Sequence, residues 1–171
     1  MTYQENYQKW LDFADLPDYL RQDLENMDEK TKEDAFYTNL EFGTAGMRGL
    51  IGAGTNRINI YVVRQATEGL ARLIESKGGN EKERGVAIAY DSRHFSPEFA
   101  FESAAVLAKH GIKSYVFESL RPTPELSFAV RHLNCFAGIM ITASHNPAPF
   151  NGYKVYGCLL YTSPSPRDRT R

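Results

Sequence analysis

Two spacings of apolar residues alternate along most of this chain. From residue 60, Val63, Ala66, Leu70 and Leu73/Ile74 recur at helical intervals, and the "KGG" that follows ends the run, so a helix is predicted there. "GVAIAY" (85–90) is instead a short continuous apolar run, the mark of a strand covered on both faces. A second helix is predicted from Ser96 as its cap, with Pro97 in the first position, Phe101, Ala104, Ala105 and Ala108 along one face, and Gly111 as the stop after His110. "SYVFE" (114–118) reads as a strand. Thr123 and Pro124 open a short helix reaching about His132, and "CFAGIMIT" (135–142) is another buried strand.

Before this alternation stand about forty residues of helical, amphipathic character. Asp15 is placed to cap a helix with Pro17 in its first turn. Then "LEFGTAGMRGLIGAGTNRIN" brings Gly43, Gly46, Gly49, Gly52 and Gly54 close together. Irregular backbone is expected here, either a flexible connector or a ligand cradle. Strand and helix in alternation predict an α/β fold: a three-layer α/β/α domain with a mainly parallel mixed sheet, preceded by a helical N-terminal segment. The domain boundaries follow: 1–39 for the helical segment, 40–157 for the α/β domain, and 158–171 for a Ser-, Pro- and Arg-rich end without apolar periodicity, read as a disordered or non-native tail.

Functional loops in such a sheet gather beyond the carboxyl ends of the strands. Three are expected to converge: "DSRHFS", "SLRPTP" and "ASHNPAPFNGYK". Composition narrows the partners they could serve. The 171 residues carry a net charge of −1, which argues against nucleic acid or an anionic membrane surface and leaves a small charged molecule. No apolar run approaches the roughly 20 residues of a membrane helix, and the first residues lack the order of a secretory signal. Cys135 and Cys158 form no disulfide or metal pattern, so a reducing cytoplasm is the expected location.

The glycine stretch offers backbone N–H groups and the planar fork of Arg48 to an anion, but it lacks the Gly-Lys-Ser/Thr of a Walker loop. Asp91, Arg93 and His94 follow a buried strand directly. They are consistent with a shared pocket or with a turn in which Asp91 binds nearby amides and Arg93 makes a surface pair. Ser144 is the most suggestive residue. Adjacent side chains on an extended segment point apart, so His145 is poorly placed as a base for its own neighbour, and no Gly-x-Ser-x-Gly elbow is present. A serine that carries a phosphoryl group fits better than a hydrolase serine. Its two negative charges would be balanced by Arg48, Arg93, Lys154 and a divalent cation. A turn built from Ser, Asn and Pro is the plainer alternative.

Four patches in order, "FGTAGMRG" (42–49), "YDSR" (90–93), "PTPELSFA" (122–129) and "TASHNP" (142–147) with "NGYK" (151–154), give the chain a family likeness over about residues 36–157. It resembles the N-terminal domain of the α-D-phosphohexomutases, the phosphoglucomutases and phosphomannomutases, and most of all their phosphoglucomutase/phosphopentomutase-type branch. The resemblance implies that Ser144 is the phosphoserine and one ligand of Mg²⁺, and that Lys154 and His145 are proton-transfer candidates. It also implies that Arg48, with Arg93 and Asn146, steadies the phosphate. The reaction implied moves phosphate between the 1- and 6-positions of a hexose (or the 1- and 5-positions of a pentose) through a sugar bisphosphate, which also serves as activator.

Family members continue into further domains with an Asp-rich metal loop, a sugar-selecting loop and a phosphate clamp. The 171 residues contain none of these motifs. The chain is accordingly expected to be a fragment, inactive alone, whose partners are a phosphosugar and the missing C-terminal domains. A non-enzymatic anion-binding or interaction domain is the alternative.

Overall fold

The computed structural model describes residues 2–43 and 46–157. Three short helices come first: α1 (Tyr3–Leu11), α2 (Asp18–Glu25) and α3 (Glu29–Phe36). Thr2 and Glu5 form a reciprocal capping box on α1, and the Asp28 carboxylate accepts from Thr31 N at the start of α3. Asp15 does not cap α2 as expected. The helix begins one residue after Pro17, which is itself the cap and makes no side-chain cap bond.

The glycine-rich stretch is not wholly irregular either. It contains strand β1 (Met47–Leu50), which the sequence did not signal because glycines interrupt its alternation. Next come α4 (Ile60–Lys77), capped by Asn59 on Val62 N, the single turn α5 (Glu81–Arg84) and β2 (Val86–Tyr90). They are followed by α6 (Ser96–Lys109), β3 (Ser114–Val116), α7 (Thr123–His132), β4 (Ala137–Ile141) and β5 (Phe150–Gly157).

Two expectations for α6 need correction. Its cap position is Phe95, in the left-handed region at φ 62°, and the buried Ser96 hydroxyl donates to Asp91 Oδ1 instead of to the helix. Its inward face is Phe99, Ala100, Ser103, Val106 and Leu107, while Phe101 is exposed. Alanines fit either face, so the spacing of Phe101 with them was misleading.

The five strands lie in the order β1-β5-β4-β2-β3. β3, β2 and β4 are parallel neighbours; β5 runs against both β4 and β1. Four strands thus share one direction, and the reversed β5 sits between two of them. Alternation decides what each face meets. Val86, Ile88 and Tyr90 with Ala137, Ile139 and Ile141 pack into the large core against α4, α6 and the N-terminal helices. Ala87, Ala89 and Met140 turn the other way, to Leu126 and Val130 of α7. Helices therefore cover both faces of the sheet.

The N-terminal helices belong to the same core. Leu20, Leu24 and Phe36 are fully buried, and Tyr7 and Trp10 meet Phe36 edge-on at 5.6 and 5.7 Å. The Asp23 carboxylate accepts from Ala53 N at 2.6 Å, fixing α2 to the glycine stretch. Among the described residues no helix is long and apolar enough to cross a membrane. The 158–171 tail and Cys158 lie outside the described residues.

Candidate active site

β2 and β4 end side by side, Tyr90 opposite Ile141, so the residues that follow, Asp91 and Thr142, emerge together at the carboxyl edge. Asp91 is the hub there. Its Oδ1 accepts from Arg93 N (3.0 Å) and Ser96 Oγ (2.9 Å), and its Oδ2 accepts from Thr142 Oγ1 (2.6 Å). This matches the turn reading of Asp91, extended by a bond to the next loop. Neither Thr142 nor the linking role of Asp91 was read from the sequence. The signal was available in principle, since equivalent ends of two parallel buried strands place Asp and Thr as neighbours.

Beyond Thr142 and the buried Ala143, Ser144 takes a left-handed backbone at φ 57° and is exposed. A non-glycine residue is uncommon in that region and draws attention to the site. The expectation that His145 points away rested on an extended segment, and the segment is not extended. Ser144 Oγ lies 3.4 Å from His145 Nδ1, at the long limit of a hydrogen bond.

Arg93 differs from expectation as well. Its Nη1 donates to Pro147 O (2.9 Å) and Phe150 O (3.0 Å), and its Nη2 to Ser144 O (2.9 Å) and Asn146 O (2.7 Å). Nε lies 3.4 Å from Asp91 Oδ2. All four Nη N–H groups are thereby directed at carbonyl oxygens of the serine loop and the start of β5, so Arg93 shapes that loop, and only its Nε N–H is left without a hydrogen bond among the described residues. Asn151, buried on β5, adds a further tie by donating to His94 O and Ser96 Oγ at 2.9 Å each.

The other two cations come from the neighbouring strands. Met47 of β1 pairs with Tyr153 of β5 and both enter the large core, so Arg48 and Lys154, each one residue along, project from the opposite face. Lys154 stands opposite Met140, near the end of β4 that leads to Ser144. Arg48 Nη1 donates to Asn146 Oδ1 at 2.7 Å, bringing Asn146 and Arg48 together beside the serine. Burial, and then the nearby Arg48 charge, pull the Lys154 ammonium below its usual range. Among the described residues neither cation makes an ion pair.

Two like charges held close without a carboxylate are costly unless an anion joins them. Glycine permits the crowding. A Cβ on Gly46, at φ 90°, would run into Tyr153 O and lie 2.9 Å from Lys154 Cα.

Asp91, Ser92, Arg93, His94, Ser144, Asn146 and Ala148 line an open, mostly polar cleft of about 380 Å³. Two of the three expected loops converge on it. The third does not take part: Arg121 N donates to Tyr90 O, and the Arg121 side chain pairs with Glu125 of α7 at 3.1 Å. Among the described residues no three His, Cys, Asp or Glu side chains form a group that could hold a metal. The Mg²⁺ expected at Ser144 therefore has no ready-made set of carboxylate, imidazole or thiolate ligands among the described residues.

Residues 39–159 match the family profile described as "Phosphoglucomutase/phosphomannomutase, alpha/beta/alpha domain I". A phosphoglucomutase of Staphylococcus epidermidis is 44% identical over 148 residues, covering 86% of this chain and 26% of the relative. One from Staphylococcus aureus is 50% identical over 126 residues, covering 74% of this chain and 22% of the relative. Among solved structures, a Thermus thermophilus protein provisionally assigned as a phosphomannomutase superposes with a TM-score of 0.63 at 34% identity, over 71% of this chain and 26% of that one. The chain therefore spans about a quarter of the length of the relatives it matches.

Proposed function

The chain belongs to the phosphoglucomutase/phosphomannomutase family, and on that premise we propose that it is the phosphoserine-bearing domain of a phosphosugar mutase, with Ser144 as the residue that carries the phosphate. The observation that carries this reading is the placing of Arg48 and Lys154, neither in an ion pair among the described residues, on the adjoining strands β1 and β5, the second paired with the strand that leads to an exposed serine in a left-handed turn, with Arg48 bonded to Asn146 of the serine loop. The substrate class is a hexose or pentose monophosphate, and the reaction shuttles phosphate through a sugar bisphosphate. Magnesium, when bound, supplies charge neutralisation at the phosphate of Ser144.

The residues divide the work as follows. In the forward half-reaction the Oγ–P bond of phosphoserine 144 breaks as a sugar hydroxyl oxygen bonds to phosphorus. The proton of that hydroxyl passes to Lys154, whose charged form is disfavoured by burial and then by the Arg48 charge, which suits the amine to take and return a proton. His145 Nδ1, 3.4 Å from Oγ, gives a proton to the departing serine oxygen. In the return half-reaction the sugar bisphosphate loses its other phosphate to Ser144, and both protons retrace their paths. Arg48 holds the equatorial oxygens, and the loop clamped by Arg93 keeps the nucleophile aligned.

Turnover is assigned to an enzyme-length protein carrying this domain, and the 171 residues alone are expected to be inactive. In the full-length enzyme Ser144→Ala abolishes interconversion of glucose 1-phosphate and glucose 6-phosphate. Turnover retained by that variant would overturn the reading. Measurable turnover by the 171-residue chain would overturn the assignment of activity to the longer protein.

A further inference from the structure

We propose that Asp91 and Thr142 are positioning residues that hold Ser144 in its left-handed conformation through a hydroxyl relay. The inference rests on the phosphoserine reading above for its purpose, but its geometry stands by itself.

Thr142 is buried, 7% exposed, and its hydroxyl has two partners: Asp91 Oδ2 at 2.6 Å and Ser144 N at 3.0 Å. A hydroxyl has one hydrogen and two lone pairs. Ser144 N can only donate, so it takes a lone pair, and the threonine proton goes to the carboxylate. The polarity of the relay is thus fixed, running from Ser144 N–H through Thr142 O–H to Asp91. Asp91 in turn cannot swing away, because its other oxygen is bonded to Arg93 N and Ser96 Oγ.

Left to itself, a serine backbone prefers the right-handed or extended regions, and a positive φ persists only where its surroundings hold it. The bond to Ser144 N reaches back two residues and closes a threonine turn that favours the reversal. Arg93 secures the carbonyl of the same residue, at 2.9 Å from Nη2. Ser144 is consequently gripped at both ends of its backbone while its Oγ stays exposed. Phosphoryl transfer depends on alignment, a misplacement of about 1 Å costing on the order of a hundredfold in rate, so a rigid backbone under an exposed hydroxyl is the arrangement it needs.

The test compares Thr142→Val, which keeps shape and removes the hydroxyl, with Thr142→Ser, which restores it. In the 171-residue chain, NMR amide exchange at Ser144 is expected to speed up roughly five- to tenfold in Thr142→Val, as for loss of one hydrogen bond. The strong intraresidue HN–Hα contact of a positive φ should weaken with it. Thr142→Ser recovers both. Melting is followed in parallel, and Thr142→Ala carries the comparison should the valine variant fail to fold. Unchanged Ser144 exchange in a folded variant, or a serine variant as impaired as the valine one, overturns the relay. In the full-length enzyme, phosphorylation of Ser144 slows by a similar factor in Thr142→Val and recovers in Thr142→Ser. A wild-type enzyme that takes no phosphate on Ser144 defeats the functional reading, while the amide data still decide the relay.

Discussion

Replacing Arg93 by alanine separates a loop clamp from a phosphate ligand. The side chain is 14% exposed and donates four bonds of 2.7–3.0 Å to carbonyls of residues 144, 146, 147 and 150. The bonds to Ser144 O and Pro147 O are exposed, and water can replace them at small cost. Those to Asn146 O and Phe150 O are partly buried, and bonds from a charged donor contribute about 1.5–2 kcal/mol each, so Arg93→Ala should lose about 3–4 kcal/mol. Lysine offers three donors from one nitrogen and cannot span four carbonyls, so Arg93→Lys should recover less than half of the loss. Urea unfolding followed by circular dichroism measures the global effect, and amide exchange across 144–150 shows whether it originates in the loop. An Arg93→Ala variant with unchanged stability and unchanged loop exchange, but weakened inorganic phosphate binding, would refute the clamp and return Arg93 to the ligand.

Three further outcomes are expected. His110, at the C-terminus of α6, lies 2.8 Å from Glu68 and 3.2 Å from Glu75 of α4, and Lys82 and Arg72 flank the same carboxylates. Glu68, and then Glu75, raise its pKa, so its stabilisation is full below the unfolded value of 6.5 and is lost as pH rises through the folded one. Glu68 is lowered chiefly by His110, and Glu75 by Lys82 and then His110, so their share is full above 4.5 and is lost as the medium becomes more acidic. The melting difference between wild type and His110→Gln should therefore be widest between pH 4.5 and 6.5 and narrow above that window; a difference that grows toward pH 9 would contradict it. A Cβ at Gly152 would lie 2.6 Å from Thr142 O and 2.7 Å from Met47 O, both backbone, so Gly152→Ala should cost about 2–3 kcal/mol in urea unfolding, and a neutral result would show that β5 is loosely held. Phe36→Ala should cost about 3–5 kcal/mol within a single calorimetric transition, since the N-terminal helices share the sheet's core; two separate transitions would make them an independent unit.

The sequence was most legible where local pattern and burial coincide. The runs at 86–90 and 137–141 are apolar throughout because helices cover both of their faces, and no competing helical spacing obscured them. β5 went unread because its residues serve three demands at once. Asn151 bonds the neighbouring loop, Gly152 admits close backbones, and Lys154 faces the site, so its alternation is polar where a strand would ordinarily be apolar. Ser96 and Pro97 look like a helix start, yet the Asp91 carboxylate, brought near by the fold, competes successfully for the serine hydroxyl. The site shows the same division. Ser144, Arg48 and Lys154 stood out by residue type and by family likeness, whereas the commitment of Arg93 to four carbonyls depends on a contact spanning more than fifty residues, which local pattern cannot register. Thr142 was hidden for the same reason.

The measurement that bears most directly on the account is the position of the phosphate. After the full-length enzyme is incubated with glucose 1,6-bisphosphate and digested, fragment-ion mass spectrometry should place one phosphate on Ser144. Phosphate on another residue, with Ser144 recovered unmodified, would contradict the central claim.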